Sequence, residues 1–251
     1  MPSIGILINL MSIFLENSIS DIHSLITKRK ISFCELFEEC NSNFPKLNNL
    51  YHPFSTFNLS IYRDSCISLD DKYAANIPEN FNSLEGMPIG IKDIFNTIDF
   101  TTEMGSPIWK DFTPGNDARV VYYLKNSGAS IIGKTVTAEF AVHQLNETLN
   151  PFDITRTPGT SSSGSAVSVS LGMVPFALGT QTAGSIIRPA SFCGVYAMKP
   201  SFGLIPRTGS LKTTDSLDTV GFFVAKPLDL RTGFECCRVR GKNFPFSHKI
   251  L

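Results

Sequence analysis

Apolar and polar positions alternate at helical spacing through residues 18–50. In "SISDIHSLITKRK" an apolar stripe runs through Ile22, Leu25 and Ile26, and Ser20 reads as the N-cap. In "SFCELFEECNSNF" Ser32 is followed three residues later by Glu35, a capping-box pattern that starts a second helix. Residues 51–85 are mixed and end in a polar loop, "NIPENFNSLEG". The apolar run "MPIGIKDIF", Met87 to Phe95, breaks at the charged pair Lys92-Asp93 and predicts a buried strand leading into a site. A helix is predicted from Asp117 to Asn126, stopped by Gly128, then a strand from Ala129 to Ile132. "SGSAVSVSLG" suits a short helix that packs closely through small side chains, and "MVPFALGT" another buried strand. Helix, tight loop and apolar strand in alternation predict an α/β fold with a largely buried sheet covered by helices.

Composition narrows this picture. With 251 residues and 42% hydrophobic content, the chain can bury a sizeable core. Lys+Arg and Asp+Glu each total 22, so no global basic surplus argues for nucleic acid. Six cysteines, Cys34, Cys40, Cys66, Cys193, Cys236 and Cys237, form no Cys-x-x-Cys pair and have no neighbouring histidines to complete a zinc site. They read as free, mostly buried thiols in a reducing compartment, which places the protein in the cytoplasm. The apolar start, "MPSIGILINLMSIFL", has no basic residue before Lys28 and is too short to span a bilayer. Residues 1–16 therefore read as an extra or disordered N-terminal segment. No membrane association is expected.

Two patches dense in small residues carry the candidate chemistry: "PGTSSSGSAV", Pro158 to Val167, and "GTQTAGSIIRPASFCG", Gly179 to Gly194. In the second, a turn of small residues after a strand lets consecutive N–H groups converge on one point, as an oxyanion hole requires, with Ser185 as a nucleophile. A turn that merely packs on the sheet reads the same way locally. A serine needs a base. None of His23, His52, His143 and His248 sits in a motif-like setting, although a triad through His143 stays open. Lys92, flanked by apolar residues, is the alternative: burial disfavours an ammonium and can leave a neutral amine. The serine patch could relay a proton between the two. Its competing reading, a phosphate-binding nest, lacks the Gly-Lys-Ser/Thr of a P-loop.

These segments together resemble the amidase signature family. "GMPIGIKDIFNT" is similar to its lysine segment and "TRTPGTSSSGSAVSVSLGMVPFALGTQTAGSIIRPASFCGVYAMKPSFGLIPRTG" to its signature block, and the likeness runs from about Ser20 to Gly241. It implies one amidase signature domain over 1–251, with a mixed sheet covered by helices on both faces. Ser185 would be the nucleophile, Ser161 the relay serine in an unusual cis peptide, and Lys92 the base. The N–H groups of Thr182, Ala183, Gly184 and Ser185 would form the oxyanion hole. Arg188 is a candidate grip for a substrate carboxylate, against a structural ion pair. The implied reaction is hydrolysis of a small-molecule amide, with no metal or organic cofactor; a homodimer is left open.

The sequence departs from the family's pattern in three places. Ala183 replaces a glycine before the nucleophile, and Thr160 and Ser163 replace glycines around Ser161; Thr160 matters if its backbone needs glycine's freedom. Family members are also considerably longer, so the likeness implies a chain lacking their C-terminal half, with an exposed sheet edge and apolar surface. Two other functions follow from it: a truncated, inactive fragment or interaction protein, and the A-type subunit of an aminoacyl-tRNA amidotransferase.

Overall fold

The computed structural model describes residues 12–239; most of the apolar N-terminal run, 1–11, and His248 lie outside them. Within the expected extra or disordered segment 1–16, residues 13–16 instead form a short helix, α1 (Ile13–Glu16), capped by Ser12 and packed through buried Phe14. Helix α2 (Ile19–Thr27) begins two residues earlier than expected. Its N-cap is Ser18, not Ser20, because Asp21 stands at the third helical position and returns a bond to the Ser18 N–H. Helix α3 (Phe33–Tyr51) starts on the expected capping box: Ser32 N–H donates to Glu35 at 2.8 Å and Glu35 N–H donates to Ser32 Oγ at 3.0 Å.

The rest of the chain builds one six-stranded sheet. In chain order it runs β1 (Phe54–Phe57), α4 (Leu59–Tyr73), β2 (Pro88–Lys92), α5 (Arg119–Asn126), β3 (Ser130–Thr135), α6 (Ser163–Ser170), β4 (Phe176–Gln181), α7 (Ile187–Cys193), β5 (Tyr196–Met198), β6 (Thr219–Val224) and α8 (Asp229–Cys237). The order across the sheet is β1-β3-β2-β4-β6-β5. The central strands β3, β2 and β4 are parallel, and β1, β6 and β5 pair antiparallel on the flanks, so the sheet is mixed. All five residues of β2 and all six of β3 and of β6 are buried, as strands covered on both faces should be.

Side-chain alternation shows the two layers. Phe176 on β4 and Phe222 on β6 share one face and stack at 5.0 Å, and Gly233 of α8 lies against both rings. Gly179, on the opposite face of β4, lies against Ser162 at the start of α6. Helices thus cover both faces. Gly128, the predicted stop after α5, has φ +93° and lies against the Glu85 backbone, which leaves no room for a Cβ. β5 is an edge strand with Tyr196 half exposed, and Ile187 and Phe192 on α7 are similarly open, so an exposed edge with apolar surface is present. No described helix is long and apolar enough to cross a membrane. Five of the six cysteines are buried, and Cys34 is half-buried.

Candidate active site

Parallel strands end together, and the loops leaving their carboxyl ends share one crevice. Lys92 closes β2 in register with Thr135 at the end of β3, and β4 runs beside them to Gln181. Lys92 is fully buried. Its Nζ donates to Ser161 Oγ at 2.8 Å and to Thr180 Oγ1 at 3.0 Å. Burial drives the amine down from its usual 10.5 to about 7, with the Asp218 carboxylate opposing the shift. The predicted pairing of Lys92 with Ser161, across sixty-nine positions of chain, is therefore formed.

Ser161 is fully buried, and the Thr160–Ser161 peptide bond is cis. Its carbonyl accepts from Ala138 N–H at 3.1 Å. Of the residues around it, Gly159 has a positive φ, +84°, whereas Thr160 and Ser163 do not. The backbone freedom needed here is supplied by the glycine that is present, so the two replaced glycines impose no conformational conflict. Ser162 and Ser163 are also enclosed, and Gly164 N–H donates to Val136 O, so the segment does not open as a phosphate nest.

Ser185 sits in the turn after β4, 6% exposed. Segment 158–162 lies alongside this turn and the helix beyond it. Gly159 packs on Pro189, Thr180 N–H and Ser162 Oγ meet at 3.4 Å, and Cys193 Sγ donates to Pro158 O. Ser185 Oγ forms no hydrogen bond among the described residues, so the link between Ser161 and Ser185 is not closed. The N–H groups of Thr182, Ala183, Gly184 and Ser185 likewise have no backbone acceptor among them.

The turn is held by a residue that the motif reading did not single out. Gln181 Oε1 accepts from the N–H groups of Ile186 and Ile187, at 2.9 and 3.0 Å, and its Nε2 donates to Ala183 O at 3.2 Å. Thr180 and Asp218 were missed as well. Thr180 and Gln181 stand inside the quoted "GTQTAGS", where polar side chains on a buried strand end were the available signal. Asp218 belongs to a different segment and offered none.

Arg188 is partly buried and forms no ion pair among the described residues; its Nη2 lies over Gly184, where a Cβ would come within 2.8 Å. The structural ion pair is therefore absent there. The histidines are placed elsewhere: His23 bonds Glu85 O, His52 caps α3, and His143 is exposed. None of these three bonds a candidate serine. Next to Lys92, Asp93 faces the opposite way and pairs with buried Lys134 at 2.9 Å, while Lys134 also donates to Phe95 O, Thr101 O and Thr102 Oγ1. Burial pushes the Asp93 carboxyl up and the Lys134 ammonium down, and their mutual attraction opposes both.

A family model described as Amidase matches residues 46–243. The A-type subunit of the glutamyl-tRNA(Gln) amidotransferase of Geobacillus sp. (strain WCH70) is 41% identical over 217 residues, 84% of this chain and 44% of that protein. Its counterpart in Gloeothece citriformis (strain PCC 7424) is 39% identical over 212 residues, 82% of this chain and 44% of that one. Among solved structures, the peptide amidase of Stenotrophomonas maltophilia matches with a TM-score of 0.82 at 27% identity, covering 91% of this chain and 49% of that chain. The A-type subunit of the Thermotoga maritima glutamyl-tRNA(Gln) amidotransferase matches with a TM-score of 0.74 at 31% identity, covering 92% and 48%. The chain spans under half the length of the curated relatives it matches.

Proposed function

The chain belongs to the amidase signature family, and from that premise we propose that it hydrolyses a carboxylic amide through an acyl-enzyme on Ser185. The observation that carries this reading is the 2.8 Å contact between fully buried Lys92 and Ser161. A neutral amine has a lone pair for the Ser161 proton while an N–H still donates to Thr180. Ser161 in turn takes the proton of Ser185, whose oxygen attacks the amide carbonyl. The uncommitted N–H groups of Thr182 to Ser185 receive the developing oxyanion. Ser161 then passes a proton to the leaving amine, that C–N bond breaks, and water enters by the same relay to free the acid. Arg188, which lies beside Gly184 and forms no ion pair among the described residues, receives a substrate carboxylate by its two-pronged guanidinium in this reading.

A second reading is favoured by the 41% identity to the A-type subunit of a glutamyl-tRNA(Gln) amidotransferase. In that case the same relay releases ammonia from an amide donor for use by partner subunits. The test is ammonia release from a panel of primary amides, glutamine among them, by the chain alone and with amidotransferase partner subunits. Turnover alone, lost in Ser185→Ala, supports the first reading; turnover only with the partners supports the second. A folded chain inert in both settings supports the third, an inactive amidase-like protein.

A further inference from the structure

At the entry to β6 stands a carboxylate that the relay does not use. Asp218 is 6% exposed and accepts five hydrogen bonds. Oδ1 takes the hydroxyls of Thr182, Thr213 and Thr214; Oδ2 takes the N–H groups of Thr213 and Thr214, at 2.6 and 2.9 Å. Burial pushes its carboxyl up, but the bonds from Thr182, Thr214 and Thr213 together outweigh that and bring it down to about 2, so it is ionised at any working pH.

Strand pairing explains the placement. Gln181 on β4 is opposite Thr219 on β6, so the residue after Gln181 and the residue before Thr219 leave the sheet side by side. Those residues are Thr182 and Asp218. Thr182 opens the turn that ends at Ser185, and Thr180, two positions earlier, holds Lys92. Gln181 staples the turn's far end, at Ile186 and Ile187; Asp218 holds its near end. One carboxylate therefore touches the nucleophile turn directly and stands close enough to Lys92 for its charge to favour the ammonium.

We infer that Asp218 is a positioning residue that holds the start of the Ser185 turn through Thr182 and sets the electrostatic field at Lys92. The inference rests on the relay proposed above. Two other charges near the site are held elsewhere: Arg207, which lines the same cleft, donates to Thr214 O and Asp215 O, and Asp93 is paired with Lys134. Asp218 is the carboxylate whose charge acts on the amine.

The test is the pH dependence of inactivation by a serine-directed fluorophosphonate, measured on the full chain. Wild type should label at Ser185 with an acid midpoint near 7, that of Lys92. Asp218→Asn removes the opposite charge, so Lys92 loses its proton more readily. The midpoint should move to lower pH by about one unit, with a rate above the midpoint roughly tenfold lower. Thr182→Val should slow labelling by a similar factor with the midpoint unmoved, and Thr182→Ser, which keeps a hydroxyl, should restore it. A purely structural role would lower the melting temperature without moving the midpoint. If Asp218→Asn does not fold, the Thr182→Val and Thr182→Ser pair decides the positioning claim. Labelled wild type with an unmoved midpoint in folded Asp218→Asn, or full-rate Thr182→Val, overturns this inference alone; unlabelled folded wild type overturns the relay and the inference together.

Discussion

Replacing Lys92 with methionine should stabilise the protein at pH 7 while abolishing its reactivity. Burial lowers the amine from 10.5 to about 7. At roughly 1.4 kcal/mol per unit, burying this amine costs wild type about 4–5 kcal/mol of folding free energy at pH 7, a cost that a methionine variant does not carry. Against it stand the bonds to Ser161 and Thr180, whose loss costs about 1–3 kcal/mol. The net gain for Lys92→Met is about 2–4 kcal/mol. The sign can be followed with pH. Between about 7 and 10.5 the unfolded chain holds the Lys92 proton and the folded chain does not, so this group's contribution to stability rises with pH. Methionine lacks that rise, and its advantage should shrink by about 2 kcal/mol from pH 7 to pH 9. The difference between the two proteins is the quantity to follow, because buried thiols such as Cys66 and Cys193, raised to about 12, act in the opposite direction at higher pH. Urea unfolding followed by far-UV circular dichroism at pH 7, 8 and 9 measures it. A methionine variant no more stable at pH 7, or one whose advantage does not change with pH, would refute the view that Lys92 is a strained neutral base.

Four further outcomes are expected. Gln181→Met removes the acceptor for two N–H groups of the turn and should lower stability by about 2–4 kcal/mol in urea, together with slower phosphonate labelling. Gly184→Ala places a methyl where Arg188 Nη2 lies; on a substrate bearing a carboxylate it should raise KM in steady-state kinetics, as should Arg188→Ala, more than it lowers kcat. Lys134→Met strands the Asp93 carboxylate in the interior and should destabilise by about 3–5 kcal/mol by chemical denaturation, since breaking a buried pair leaves an uncompensated charge. Asp229 is 2% exposed, has one oxygen without a hydrogen bond among the described residues, and is raised by burial to about 6. Its contribution is intact below pH 4 and lost as pH rises through 6, so Asp229→Asn should gain about 2 kcal/mol over wild type at pH 7 and nothing at pH 4, read from thermal melts.

How much of this was legible beforehand depended on whether local sequence decides the outcome. The α3 capping box needs only Ser32 and Glu35, and β2 and β4 announce themselves as apolar runs, so both were readable. At α2, two serines compete for the cap, and the reciprocal bond from Asp21 selects Ser18. β1, four residues with alternating exposure, and the three-residue β5 are too short for a periodic signal; they are strands because β3 and β6 offer them partners. Lys92, Ser161 and Ser185 were found through their motifs, and the first two meet as expected. Asp218 was not found, because its role arises from the β4–β6 register, which pairs segments that share no local pattern.

The central claim is a lysine–serine–serine relay ending at Ser185, and covalent labelling reaches it most directly. The chain is incubated with a fluorophosphonate at pH 8, and the adduct is located by peptide mass spectrometry in wild type, Ser185→Ala, Ser161→Ala and Lys92→Ala. The account predicts one adduct, on Ser185, absent from Ser185→Ala and at least about a hundredfold slower in the other two folded variants, the scale of a lost general base. An adduct on another residue, or labelling of Ser185 that proceeds at full rate without Ser161 or Lys92, would contradict it.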